Sequence, residues 1–181
     1  LNRKTDYKLF KEVVDNSNSD VWEDAVKEWM IGDCREDDNM LESCVCGKEH
    51  LKYLFTIENR ENGNVLTPIG SSCIEKFERK DLNEFTKINR KLFELLHAFN
   101  RNEYIALDNK YFTRKLLLYL YEQGAFQNSK YSSAKNSYEM LLKMFNKKTE
   151  PTPKQKNMIK AIIMSDIRPY LEKILKDKIN T

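Results

Sequence analysis

Histidine is scarce in this 181-residue chain: His50 and His97 are the two present. That leaves little for a nuclease of the His-metal type, which needs an imidazole base beside a hydrated metal. Long apolar runs are absent too. No segment suffices to span a bilayer and none reads as a signal peptide, so the expectation is a cytoplasmic protein without a membrane partner. In that compartment thiols stay reduced. Internal repeats and low-complexity stretches are also missing. Cysteine is absent beyond position 73, and all four cysteines (Cys34, Cys44, Cys46 and Cys73) fall in one short region. Scattered core thiols would not cluster in that way.

Charge is plentiful but uneven. Residues 1–80 carry 12 basic and 17 acidic side chains, whereas residues 81–181 carry 19 and 11, so an acidic front precedes a basic back. Such asymmetry suggests two surfaces with different partners.

Tyr7, Leu9, Phe10, Val13 and Val14 suggest a short helix, and Asn16–Ser19 breaks it. Ser19 or Asp20 is placed to cap a helix bearing Trp22, Ala25, Val26 and Trp29. A strand is expected over 30–34, then an acidic loop over 33–39. Leu51–Asn59 and Val65–Ile69 read as a hairpin around Asn62-Gly63, and Ser71 as the cap of a short helix reaching Phe77. From Asp81 the periodicity turns helical. One stripe holds Leu82, Phe85, Ile88, Leu92, Leu95, Leu96 and Phe99. A second helix is expected over 111–122 with Gly124 as its stop, and a third from Tyr138. A last one starts at the capping box Thr152-Pro153-Lys154-Gln155, with Pro169 as a kink. The fold class is therefore α+β: a short helical segment (1–19), a zinc-binding hairpin module (20–80) and an α-helical domain (81–181).

Cys44-Val45-Cys46-Gly47 has the form of a zinc knuckle, and Cys73 falls in the first turn of a helix, where the helix end favours a thiolate. Knuckle, hairpin and helix-borne ligand follow the order of a treble clef. Structural zinc takes four ligands in a tetrahedron. Cys34 is the expected fourth, with His50 as its competitor. A closed four-sulfur shell leaves no position for water, so Zn2+ is expected to be structural and the protein not an enzyme.

Several strings carry a resemblance. Cys-x-Cys-Gly, Leu51-Lys52-Tyr53, Ile57-x-Asn59, Asn62-Gly63-Asn64 and Pro68-Ile69-Gly70-Ser71-x-Cys73-Ile74 are among them. So are Gly124-Ala125-Phe126, Thr152-Pro153-Lys154-Gln155 and Arg168-Pro169-Tyr170-Leu171. Together they resemble a family of small bacterial proteins of phages, plasmids and other mobile elements, from Trp29 onward. Proteins of similar size and setting include type II anti-CRISPR inhibitors. The resemblance implies an inhibitor that binds an RNA-guided nuclease effector or its nucleic acid.

Lys147, Lys148, Lys154, Lys156 and Lys160 cluster where the last helix begins, and could neutralise phosphates, with Tyr111, Tyr131 and Tyr138 as candidate stacking partners. Asp33, Glu36, Asp37, Asp38 and Glu42 suggest the opposite mode, carboxylates occupying a basic channel. The alternatives are a nucleic-acid-binding zinc-finger accessory protein, a metal-dependent nuclease, and an adaptor that dimerises through its helices, with Trp22, Trp29 and the Leu116–Leu120 run as apolar surface.

Overall fold

The computed structural model describes residues 3–180, and the outermost positions of the first and last expected segments lie outside them. The fold is mixed α+β. The chain divides into two compact units, Leu1–Asn89 with Asp177–Thr181, and Arg90–Lys176.

The first unit is built on a small sheet in the order β3-β2-β1-β4. Strands β1 (Trp29–Asp37), β2 (Tyr53–Asn59) and β3 (Val65–Ile69) are antiparallel, and β4 (Ile179–Asn180) adds a short parallel edge to β1. Helix α1 (Arg3–Asp15) buries Leu9 and Val13 as its apolar spacing requires. Phe10 meets Trp22 at 4.3 Å, and Trp22 meets Phe77 edge-on at 5.5 Å.

Strand β1 corrects two expectations. The helix around Trp22 is a single turn, α2 (Trp22–Ala25), continued by a 3-10 turn over Val26–Glu28, and Trp29 already begins the strand. Neither Ser19 nor Asp20 caps it; Val21 holds the cap position without a side-chain bond. The acidic loop is also largely strand, with Glu36 and Asp37 buried. The cause is a register shift between Ile31 and Asp33, at Gly32. An extra residue inverts the alternation of faces: Trp29 and Ile31 point inward before it, Cys34 and Glu36 after it. The Glu36 carboxylate meets Lys52 Nζ at 3.2 Å. That of Asp37 accepts the Asn39 and Leu41 N–H groups at 3.0 and 2.9 Å, so it shapes the turn that leaves the strand. A continuous acidic surface over these residues is therefore not formed.

A polar knot ties the end of α1 to the β2–β3 turn. The Asn16 carbonyl accepts the side-chain amides of Asn59, Asn62 and Asn64 at 3.3, 3.0 and 3.1 Å. Buried Asn59 also donates to Glu28 at 2.7 Å, and its Oδ1 receives the Glu61 and Asn62 N–H groups. Arg79 donates to the carbonyls of Val26 and Trp29 and pairs with Asp81 at 2.6 Å.

After β3, Gly70 rather than Ser71 precedes α3 (Ser71–Ile74), which tightens into a 3-10 turn through Phe77. Helix α4 (Lys80–Asn100) buries Leu82, Leu92, Leu95, Leu96 and Phe99. In its first half the buried positions include Thr86 and Asn89, whereas Phe85 and Ile88 are half-buried. The two polar groups bond their own helix, to Leu82 and Phe85 carbonyls at 2.9 Å, which removes the penalty of burying them.

The second unit is helical. Thr113 caps α5 (Arg114–Glu122), and Ser133 caps α6 (Ala134–Phe145). Gly124 stops α5 with φ of 76°, where a side chain would be strained. Leu116, Leu117 and Leu120 are core residues. The capping box at Thr152 forms as expected at the start of α7 (Pro153–Ile162). A π-helical turn, Ile163–Ile167, then leads into α8 (Arg168–Leu175). Pro169 explains it. The ring cannot donate to the Ser165 carbonyl and crowds it, so the backbone widens for one turn. Ile159, Ile163, Ile167, Leu171 and Leu175 remain buried across it, while Met158 is exposed.

Among the described residues no helix is long and apolar enough to cross a membrane.

Candidate metal centre

The knuckle lies in the irregular segment between β1 and β2. Gly47 takes φ of 88°, which lets its N–H reach the Cys44 carbonyl at 2.7 Å, while the Cys44 N–H bonds the Lys48 carbonyl at 2.8 Å. This loop is tied to the sheet: the Val45 N–H donates to the Pro68 carbonyl at 3.0 Å. Gly70 and α3 then carry Cys73 up to the knuckle.

Cys44, Cys46 and Cys73 converge, their sulfurs all within 4.8 Å of one another and buried. Cys73 Sγ lies 3.6 Å from Cys44 Sγ and 3.3 Å from Cys46 Sγ. A disulfide requires about 2.05 Å, so these are free thiols. A tetrahedron of zinc–sulfur bonds of about 2.3 Å has edges of about 3.8 Å, and the observed separations approach that.

Cys34 is not in this group. It sits on β1 opposite Phe55, a core residue, and its ionisable neighbours are Asp33, Glu36 and Lys178. Burial pushes its thiol far up, with help from Asp33. His50 is not in the group either: it is exposed, with Nδ1 3.2 Å from the Met40 carbonyl. Among the described residues no further His, Cys, Asp or Glu atom joins within 4.8 Å of all three sulfurs.

The contact between Cys44 and Cys73 drives their two thiols in opposite directions. Cys44 is held down at about 5, first by its hydrogen-bonded contact with Cys73 and then by N–H groups of Cys46 and Gly70. The Gly70 N–H approaches Cys44 Sγ at 3.4 Å. Cys73 moves the other way, first through that same contact with Cys44, then through burial and the charge of Cys44 beside it. A divalent ion would remove that conflict. Lys76, ion-paired with Asp6, lies within electrostatic reach of the Cys73 and Cys46 sulfurs. Sequence reasoning missed this lysine. It follows Cys73 by three residues and so shares a helical face with it, which is the one signal available.

The lysine cluster belongs to the second unit. Lys147 donates to Gln155 Oε1 at 2.9 Å and Lys156 pairs with Glu150 at 2.5 Å, so both brace the capping box. Lys148, Lys154 and Lys160 are exposed and make no ion pair or hydrogen bond among the described residues. Of the candidate stacking residues, Tyr111 is buried and donates to Glu103 at 2.7 Å, Tyr138 stacks on Tyr121 at 4.6 Å, and Tyr131 stands 91% exposed. Tyr104, 75% exposed, went unnoticed in the sequence because it has no periodic neighbours.

Compared with protein-family models, curated proteins and solved structures, the chain matches none.

Proposed function

We propose that Cys44, Cys46 and Cys73 hold one structural Zn2+ in a treble-clef-like module, and that the protein works in the cytoplasm by binding a nucleic-acid machine. The observation that carries the metal reading is the meeting of three buried sulfurs from two separate segments. Thiolate donors suit zinc, and a trio on a Zn2+ leaves a net charge of −1, which Lys76 is placed to offset. Cys34 is the fourth ligand we propose, with His50 as its competitor. Metal binding would stabilise a knuckle loop that has no regular structure of its own. The check is thermal unfolding followed by tryptophan emission before and after chelation. A lower midpoint, restored by Zn2+, is expected; an unchanged midpoint would leave the trio as plain core thiols.

The partner reading rests on the family resemblance and on the exposed lysines of the second unit. It names an anti-CRISPR inhibitor of a type II RNA-guided nuclease. Adding the protein to a guided effector should abolish target cutting. Full cutting in large molar excess removes that partner, and a mobility shift of RNA or DNA alone would then favour a nucleic-acid-binding accessory. Cutting by the protein alone with Mg2+ would instead mark a nuclease.

A further inference from the structure

The second unit contains a cavity of about 280 Å3 that the metal reading does not use. Phe99 near the end of α4, the segment from Asn102 to Ile105, Lys160 of α7, the π-turn residues Ile163 and Met164, and Arg168 of α8 line it. Lys160, Met164 and Arg168 follow one another at four-residue spacing and so line the same side of the helix, with the π-turn Ile163–Ile167 running through that stretch. Such turns recur at functional sites.

The lining has two chemistries. Phe99 and Ile163 form a buried apolar floor, and Tyr104 and Met164, 75% and 40% exposed, stand at the rim. Two cations face the same space. Lys160 has no ion partner among the described residues. The Arg168 guanidinium lies 5.9 Å from the Phe99 ring centre, and its Nε is ion-paired with Glu172 at 2.8 Å. The single acid of the wall, Glu103, is already compensated: it accepts from Tyr111 and Arg101 at 2.7 Å each and has Lys110 at 3.5 Å. With Arg168 paired to Glu172 and Glu103 paired to Arg101 and Lys110, Lys160 leaves the wall with an excess of positive charge beside the apolar and aromatic residues. A neutral aliphatic ligand would not use the cations, and a bare phosphate would not use the apolar floor. A ligand with an aromatic plane and a phosphate uses both. The volume lies just under the ~300–1,000 Å3 range of small-molecule sites, which suits a single base.

We propose that this cavity binds one unpaired nucleotide, its base against Tyr104 and Met164 and its phosphate between Lys160 and Arg168. The proposal rests on the nucleic-acid reading of the second unit and assigns it a site. The test is fluorescence anisotropy with labelled 12-residue single strands of DNA and of RNA at low salt, for the parent, Tyr104→Ala, Lys160→Glu and Lys148→Glu. Both Tyr104 and Lys160 are exposed, so unchanged circular dichroism should attest folding of the variants. Tyr104→Ala is expected to weaken binding by about 5- to 150-fold, the range for loss of one stacked base. Lys160→Glu should act comparably, and Lys148→Glu much less. Competition by adenosine monophosphate identifies a free nucleotide as the ligand; binding of strands without it identifies a nucleotide within a polymer. No binding by the parent overturns both the proposal and the nucleic-acid reading. Binding by the parent that is equally weakened by Lys148→Glu and untouched by Tyr104→Ala overturns the proposal alone, leaving a diffuse charged face. Displacement by polyglutamate as effective as that by a strand would also overturn it.

Discussion

Replacing Asn59 with alanine should uncouple α1 from the hairpin, and the size of the effect follows from its contacts. The side chain is 2% exposed and engages four groups: Glu28 at 2.7 Å, the Asn16 carbonyl at 3.3 Å, and the N–H groups of Glu61 and Asn62 at 2.8 and 3.2 Å. A hydrogen bond to a charged group contributes about 1.5–3 kcal/mol and a neutral one about 1. The Asn16 carbonyl keeps two other donors, and the turn amides face water. The expected loss is therefore about 3 kcal/mol rather than the sum. Both tryptophans, Trp22 and Trp29, lie in the first unit, so their emission during urea unfolding reports it directly. The loss should depend on pH. Burial would raise the Glu28 carboxyl, but the Asn18 and Ser19 N–H groups and the Asn59 amide hold it below its ordinary value. A depressed carboxyl stabilises the fold above its unfolded value and loses that contribution as pH falls through the folded one. The difference between Asn59→Ala and the parent should accordingly be largest near neutral pH and shrink in acid, where Glu28 is protonated in both. A loss below about 0.5 kcal/mol, or one that does not change with pH, would show that Asn59 does not hold Glu28 in this way.

Leu117→Ala should cost about 2–5 kcal/mol, because the side chain is fully buried in the second unit. Urea unfolding by far-ultraviolet circular dichroism measures it. Thr152→Ala should cost about 1 kcal/mol by removing the capping box, with the amides of the first turn of α7 exchanging faster by mass spectrometry. Gly32→Ala should be nearly neutral in midpoint: its added carbon would meet Glu58 Oε1 at 2.6 Å, yet that carboxylate is the exposed end of a flexible chain and can move away.

Much of this architecture was legible because local signals agreed with tertiary ones. The Asn62-Gly63 hairpin, the Thr152 capping box and the Gly124 stop each depend on a few adjacent residues. The strand β1 was not, since its bulge at Gly32 inverts the inward face and its charged tail is covered by contacts remote in sequence. The same bulge governs the site. Knuckle and α3 spacing pointed to Cys44, Cys46 and Cys73, but where Cys34 points depends on a register shift that alternation alone does not reveal. The π-turn was equally hidden: Pro169 marks a disturbance without saying what form it takes, while Ile163 and Ile167 stay buried through it.

Whether these sulfurs hold zinc is answered by the metal content of purified protein, measured by plasma emission for the parent and for single serine variants of each cysteine. One zinc per parent chain is expected, and its loss from Cys44→Ser, Cys46→Ser and Cys73→Ser alike, while Cys34→Ser and His50→Ala report which of the two completes the shell. A parent without metal after expression in zinc-supplemented medium, or a Cys73→Ser variant that keeps its zinc, would contradict that expectation.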